Sequence, residues 1–184
     1  MDVRYLRQIE AHYESTWGSP QGLLRWTKGP IERLPDGFAV LVYQATDDMR
    51  AFATRGMSQP SDDDRLELHA FCRPADEARV QVEELLTVIT DYHRTGSSLG
   101  LGHTVNFGRP WAPGSQCTHG LISLPYLDGP TLEWCRPLEL RCLWLIPITR
   151  AELEYKKEHG LEALEQRFEE VQFNYLDVQR ASVV

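Results

Sequence analysis

Leu140-Arg141-Cys142-Leu143-Trp144-Leu145-Ile146-Pro147-Ile148-Thr149-Arg150-Ala151-Glu152 is the stretch whose reading decides the fold. Its first part, Leu140 to Ile148, is apolar at nearly every position. A strand with one wet face alternates, so an unbroken apolar run predicts a central strand covered on both faces. Thr149 and Glu152 then have the spacing of a capping box, in which the Thr149 hydroxyl accepts the Glu152 amide proton and the Glu152 carboxylate reaches back to the Thr149 amide. A helix to His159 follows, with Gly160 as its stop. Leu161, Leu164, Phe168 and Val171 set out a second helical stripe, and Glu162, Glu165, Glu169 and Glu170 form its acidic outer face.

Working outward toward the N-terminus, Val3, Leu6, Ile9, Tyr13 and Trp17 recur at three- and four-residue steps and predict a helix over 3–17, ended by Gly18-Ser19-Pro20. Phe38 to Tyr43 reads as a buried strand after the turn Pro35-Asp36-Gly37, and Met49 to Thr54 completes a hairpin with it. A third strand alternates Leu66, Leu68 and Ala70 with Glu67, His69 and Phe71. In the central helix Asp76 serves as cap, Val82, Leu85, Leu86, Ile89 and Tyr92 share one face, and Gly96 ends it. A Gly-, Pro- and Ser-rich stretch with a short strand at His103 to Phe107 comes next. A strand at Leu121 to Leu124 and a turn at Asp128-Gly129-Pro130 lead to the central strand. This order predicts an α+β fold: a single domain over 1–184 with a central mixed, mostly antiparallel sheet flanked by helices.

Composition narrows the function. The chain has 184 residues, 42% of them hydrophobic, and a formal net charge of -8. That length suits one sizeable core. The acidic balance argues against direct nucleic-acid binding, which needs cations to displace counterions from phosphates, and against docking on anionic lipid. The apolar stretch Leu138 to Ile148 contains Glu139 and Arg141 and is too short to span a bilayer. Charged residues punctuate the N-terminus, so no signal peptide is expected and a cytoplasmic location is. Cys72, Cys117, Cys135 and Cys142 lack any CxxC spacing and read as reduced, buried thiols.

Catalytic patterns are sparse. Gly96 to Gly102 is glycine-rich but lacks the Lys-Ser/Thr of a phosphate loop, and neither Gly-x-Ser-x-Gly nor His-Glu-x-x-His occurs. His93, His103, Cys117 and His119 are the only grouping from which a metal or nucleophilic site is conceivable, and nothing in their spacing requires them to meet. No catalytic residue, metal or cofactor is therefore expected. Trp111, beside Arg109 in a Pro- and Gly-rich loop, has two readings: an exposed protein-binding hot spot or a loop anchor. The run Asp62, Asp63, Asp64 reads as a solvated face.

Several segments in order resemble the Suppressor of fused domain family, from Phe38 to Val183. They are Phe52-Ala53-Thr54-Arg55-Gly56-Met57-Ser58, Leu66-Glu67-Leu68-His69, the helix from Leu85 to His93, Gly102-His103-Thr104-Val105, Leu124-Pro125, and Leu145 to Thr149 with Glu152, Gly160, Leu164, Asp177 and Arg180. The family motif thus falls on Gly56, Ser58, Glu67, His103, Pro125, Pro147, Glu152, Gly160, Asp177 and Arg180. The resemblance implies a non-enzymatic protein-binding module. Animal members have two domains and bind a peptide as an added strand in the cleft between them. This chain resembles their N-terminal domain, carries Gly102 where they have an aspartate, and matches a cleft-facing aromatic at Tyr92.

Stand-alone, single-domain members of the family look bacterial and include immunity proteins, so the resemblance implies a protein that neutralises a toxin by occlusion, with a basic toxin domain as partner. The candidate surface comprises Tyr92, His103, Arg109, Trp111 and Asp62, Asp63 and Asp64. Two alternatives stand beside it: a metal-dependent enzyme or small-molecule binder using His93, His103, Cys117 and His119, and a structural homodimer. The sequence leaves the oligomeric state open.

Overall fold

The structure is a computed structural model that describes residues 2–29, 33–74, 78–96, 98–177 and 179–184. In chain order its elements are α1 (Val3–Trp17), β1 (Gly22–Leu24), β2 (Ala39–Thr46), β3 (Met49–Arg55), β4 (Arg65–Cys72), α2 (Ala78–Thr95), β5 (Thr104–Asn106), β6 (Cys117–Ser123), α3 (Pro130–Glu133), β7 (Trp134–Cys135), β8 (Leu140–Thr149), α4 (Arg150–His159) and α5 (Leu161–Glu170). One eight-stranded sheet runs β1-β2-β3-β4-β8-β6-β5, with β7 paired to β8 off that path. β4 and β8 are parallel, and every other pairing is antiparallel. The sheet is thus mixed and mostly antiparallel, as the order of elements predicts.

β8 is central, and its two sets of side chains feed two cores. Trp144, Ile146 and Ile148 pack with Tyr5, Ile9, Tyr13 and Trp17 of α1 and with Leu164 and Phe168 of α5. Leu143 and Leu145 pack on the opposite face with Val82, Leu85, Leu86 and Ile89 of α2. Each such buried side chain contributes about 1.5–3 kcal/mol, so double coverage is what keeps so apolar a strand in the middle. The same double coverage explains a departure from the alternation in β4. Glu67 and His69 are both fully buried there.

Other departures are local. Tyr92 leaves the α2 stripe and is 50% exposed, and Val171 lies past the end of α5 and is exposed. Asp128-Gly129-Pro130 opens α3 rather than only turning. The expected cap Asp76 lies outside the described residues. The capping box of α4 is present in both directions. All four cysteines are buried thiols outside any disulfide.

Two buried carboxylates organise the family-motif residues. Glu67 accepts hydrogen bonds from the Thr54 hydroxyl (2.6 Å) and from the amides of Gly56 (3.0 Å), Met57 (3.2 Å) and Ser58 (3.3 Å). Burial pushes its carboxyl up to about 7, while these four donors pull it back. Gly56 has φ +87°, and a Cβ there would lie 2.9 Å from Leu6 Cδ2, so the turn requires glycine. Glu152 accepts from Arg180 Nη1 (2.6 Å) and Nη2 (2.8 Å), from the Thr149 amide (2.8 Å) and from the Val183 amide (3.0 Å). Arg180 also donates to the Pro147 carbonyl, and its guanidinium lies 5.8 Å from the Phe168 ring centroid and 5.3 Å from that of Phe173.

Arg180→Ala leaves the Glu152 charge buried and uncompensated and is expected to cost about 3–5 kcal/mol in chemical denaturation. Arg180→Lys, which cannot make the two-pronged contact, is expected to recover only part of that loss. A second expectation concerns His69, whose two ring nitrogens find no hydrogen-bond partner among the described residues and lie beside Trp17 and Phe71. Burial lowers its pKa from 6.5 to about 3, so the unfolded chain takes up a proton that the folded chain refuses. Its contribution is present above 6.5 and is lost as pH falls, at up to about 1.4 kcal/mol per pH unit. Denaturation between pH 6.5 and 4.5 should therefore show a shallower acid loss in His69→Phe than in the parent.

Candidate functional site

β5 is the last strand at one end of the sheet, paired only with β6 among the described residues. Its register sets Val105 opposite Gly120. Ile122 donates its amide to the His103 carbonyl, and Phe107 donates to Thr118. The backbone groups of 103, 105 and 107 therefore point at β6. By the two-residue alternation of a ladder, the N–H and C=O of Thr104 and Asn106 point outward, with no strand beside them. Asn106 is exposed, and its side chain accepts the Gly108 amide (2.8 Å), which bends the chain away and leaves the edge short.

The edge is held from both ends. Gly102 donates its amide to the Ile122 carbonyl (2.8 Å), and its own carbonyl accepts Lys156 Nζ (2.5 Å). At the other end the Phe107 ring lies on Gly120, where a Cβ would come within 2.7 Å of Phe107 Cζ. Trp111 covers that ring at 5.5 Å between centroids, and its amide bonds the Cys117 carbonyl at 2.7 Å.

The sequence-predicted surface divides on this frame. Trp111 is only 2% exposed. The exposed hot-spot reading is therefore corrected, and the loop-anchor reading describes what the ring does. Asp63, Asp64 and His103 line one cleft of about 460 Å³, together with Leu99 and Trp134. A second cleft of about 520 Å³ places Asp62, Asp63 and Asp64 beside His93 and Arg94. Asp62 is ion-paired with Arg94 and accepts the Gln59 amide, so it is structural as well as solvated. Asp63 and Asp64 are exposed and without an ion-pair partner among the described residues. Tyr92 lines neither cleft. Arg109 is paired with Glu84 of α2 and so ties its loop to that helix.

The metal or nucleophile grouping does not assemble. Among the described residues no three His, Cys, Asp or Glu side chains are placed to share a metal ion. His93 Nδ1 accepts the Leu99 amide (3.0 Å), and its pKa is lowered by burial and by Arg94. His119 is instead paired with the Thr118 hydroxyl (3.0 Å). Burial raises the Cys117 thiol, which opposes thiolate formation. No described helix is long and apolar enough to cross a membrane.

Other motif residues support backbone. Pro125 offers its carbonyl to the amides of Asp128 and Gly129, Gly160 separates α4 from α5, and Asp177 accepts the Gln179 amide (2.9 Å). What the sequence reading missed is the outward pair Thr104 and Asn106. The short strand is legible from its flanking glycines, but its place at the end of the sheet depends on β6 crossing to β8, which no local pattern encodes.

The family model described as Suppressor of fused protein (SUFU) matches residues 35–181. A crystal structure of a SUFU homolog from Neisseria gonorrhoeae is 31% identical, with 99% of this chain and 98% of that one covered and a TM-score of 0.81. The structure of a Sufu–Fu complex shares the fold at 15% identity, with 97% and 92% covered and a TM-score of 0.67. Drosophila Suppressor of Fused does so at 15% identity and a TM-score of 0.63, where 97% of this chain matches 50% of that one. No curated protein matches the chain.

Because Trp111 pins Phe107 and the end of β5, Trp111→Ala is expected to cost about 3–5 kcal/mol in denaturation, whereas Tyr92→Ala at the exposed end of α2 stays within about 0.5 kcal/mol.

Proposed function

This chain belongs to the Suppressor of fused family, and we propose that it is a non-enzymatic module that binds another protein by taking one of its segments as an added strand on β5. The observation that carries the reading is the outward N–H and C=O of Thr104 and Asn106 on a strand held rigid at both ends. The two residues provide up to four backbone hydrogen bonds. At about 0.5–1.5 kcal/mol each these supply only a few kcal/mol, well below the ~12 kcal/mol of a nanomolar complex. Side chains beside the edge must supply the rest. His103, next to the start of β5, shares a cleft with the exposed carboxylates of Asp63 and Asp64, which supports that reading.

The finer reading is an immunity-type role, in which the partner is a basic toxin domain and binding occludes its working surface. The net charge of -8 supports it, because opposite charge raises the association rate and does so less as salt is added. A cytoplasmic setting accords with four buried cysteines that form no disulfide.

The test uses the product of an adjacent toxin gene as ligand in surface plasmon resonance. Thr104→Pro removes an outward N–H without taking a bond from the β6 ladder. It is expected to weaken binding at least fivefold while leaving the melting temperature within a few degrees. Asp63→Lys with Asp64→Lys should mainly slow association, most visibly at low salt. Unchanged affinity in Thr104→Pro would refute the strand-addition reading.

A further inference from the structure

A second surface lies away from β5, on the face of the sheet that α5 covers. It is a groove of about 610 Å³ lined by Tyr126, Trp144, Phe168, Phe173 and Tyr175. The rings are packed against one another: Phe168 stacks on Phe173 at 4.3 Å, and Trp144 meets Tyr175 edge-on at 5.3 Å. Arg180 braces the Phe168 and Phe173 rings. The floor is therefore formed before anything binds. Tyr126 and Leu127 at its side are 56% and 43% exposed, so two adjacent apolar side chains border the floor in water.

Among the described residues every charged side chain lining the groove is acidic: Glu162, Glu165 and Glu169. Glu165 is engaged by its own chain, accepting the Ser123 hydroxyl and the Tyr126 hydroxyl. Glu162 and Glu169 are exposed and have no ion-pair partner among the described residues. They stand seven residues apart on α5, two turns or about 10 Å along one side of the groove.

We propose that this groove docks an amphipathic helix of a partner protein, with Lys or Arg at positions i and i+7 and two large apolar residues at i+3 and i+4. Those four positions lie on one face of a helix and repeat the 10 Å spacing, so two cations meet Glu162 and Glu169 while the apolar pair enters between them. The aromatic walls add a preference for cations over anions at the rim. The surface stands independently of the β5 edge.

A fluorescein-labelled, alanine-based helical peptide of about 16 residues, with Lys at i and i+7 and Leu-Phe at i+3 and i+4, serves as the probe. Fluorescence anisotropy should show it binding at least tenfold more tightly than the same peptide with Glu at i and i+7. The double variant Glu162→Lys, Glu169→Lys alters only exposed side chains and should reverse that preference. Tyr126→Ala should weaken the Lys peptide at least fivefold, and Thr104→Pro should leave it unchanged. The proposal is overturned if neither peptide binds, if both bind equally, if the preference survives in the double variant, or if Thr104→Pro abolishes binding.

Discussion

A carboxylate out of reach of water needs a cation and hydrogen bonds, and Glu152 receives both from parts of the chain that are otherwise unconnected. It caps α4 through Thr149, takes both prongs of Arg180 and holds the Val183 amide. One side chain thus ties the end of the central strand, the start of α4 and the C-terminal tail into one unit. Breaking such a pair by removing one partner costs about 3–5 kcal/mol, against a typical total stability of about 5–15 kcal/mol. Arg180 passes the constraint on: its guanidinium packs on Phe168 and Phe173, which form part of the aromatic groove beside α5. Glu67 is held without a cation among the described residues: it accepts the Thr54 hydroxyl and three successive amides of the turn from Gly56 to Ser58.

Particular residues show how far the sequence could be read. The apolar run of β8 and the Thr149-Glu152 box were legible because each is a local pattern with one physical meaning. The α1 stripe was legible for the same reason. The buried state of Glu67 and His69 was not, because alternation looks the same whether one face of a strand is wet or both are covered. Trp111 had two open readings, and the choice rested on the Phe107 ring it covers and on the Cys117 carbonyl its amide bonds, which come together only when the loop folds back on β6. Tyr92 has the helical spacing of its apolar neighbours yet ends half-exposed in the last turn of α2, an outcome the spacing alone does not encode.

The candidate site divides along the same line. The family-motif residues recognisable in sequence, Gly56, Ser58, Glu67, Pro147, Glu152 and Arg180, are scaffold: they hold turns, a cap and the tail. The surface proposed to meet a partner is made of backbone groups on β5 and of exposed carboxylates, whose value comes from position and not from residue type. Similarity between family members is therefore a guide to the frame, while on the proposed reading partner choice falls to the edge, the Asp63 and Asp64 cleft and the acidic groove.

The central claim is that the outer side of β5 carries the partner, and amide hydrogen exchange reads that side directly. In the free protein the Thr104 and Asn106 amides face solvent and should exchange rapidly, while those of Val105 and Phe107, bonded to β6, should be slower. With partner bound, the account predicts that Thr104 and Asn106 become protected to the level of Val105. If both continue to exchange as in the free protein while the complex is demonstrably formed, strand addition on β5 is contradicted.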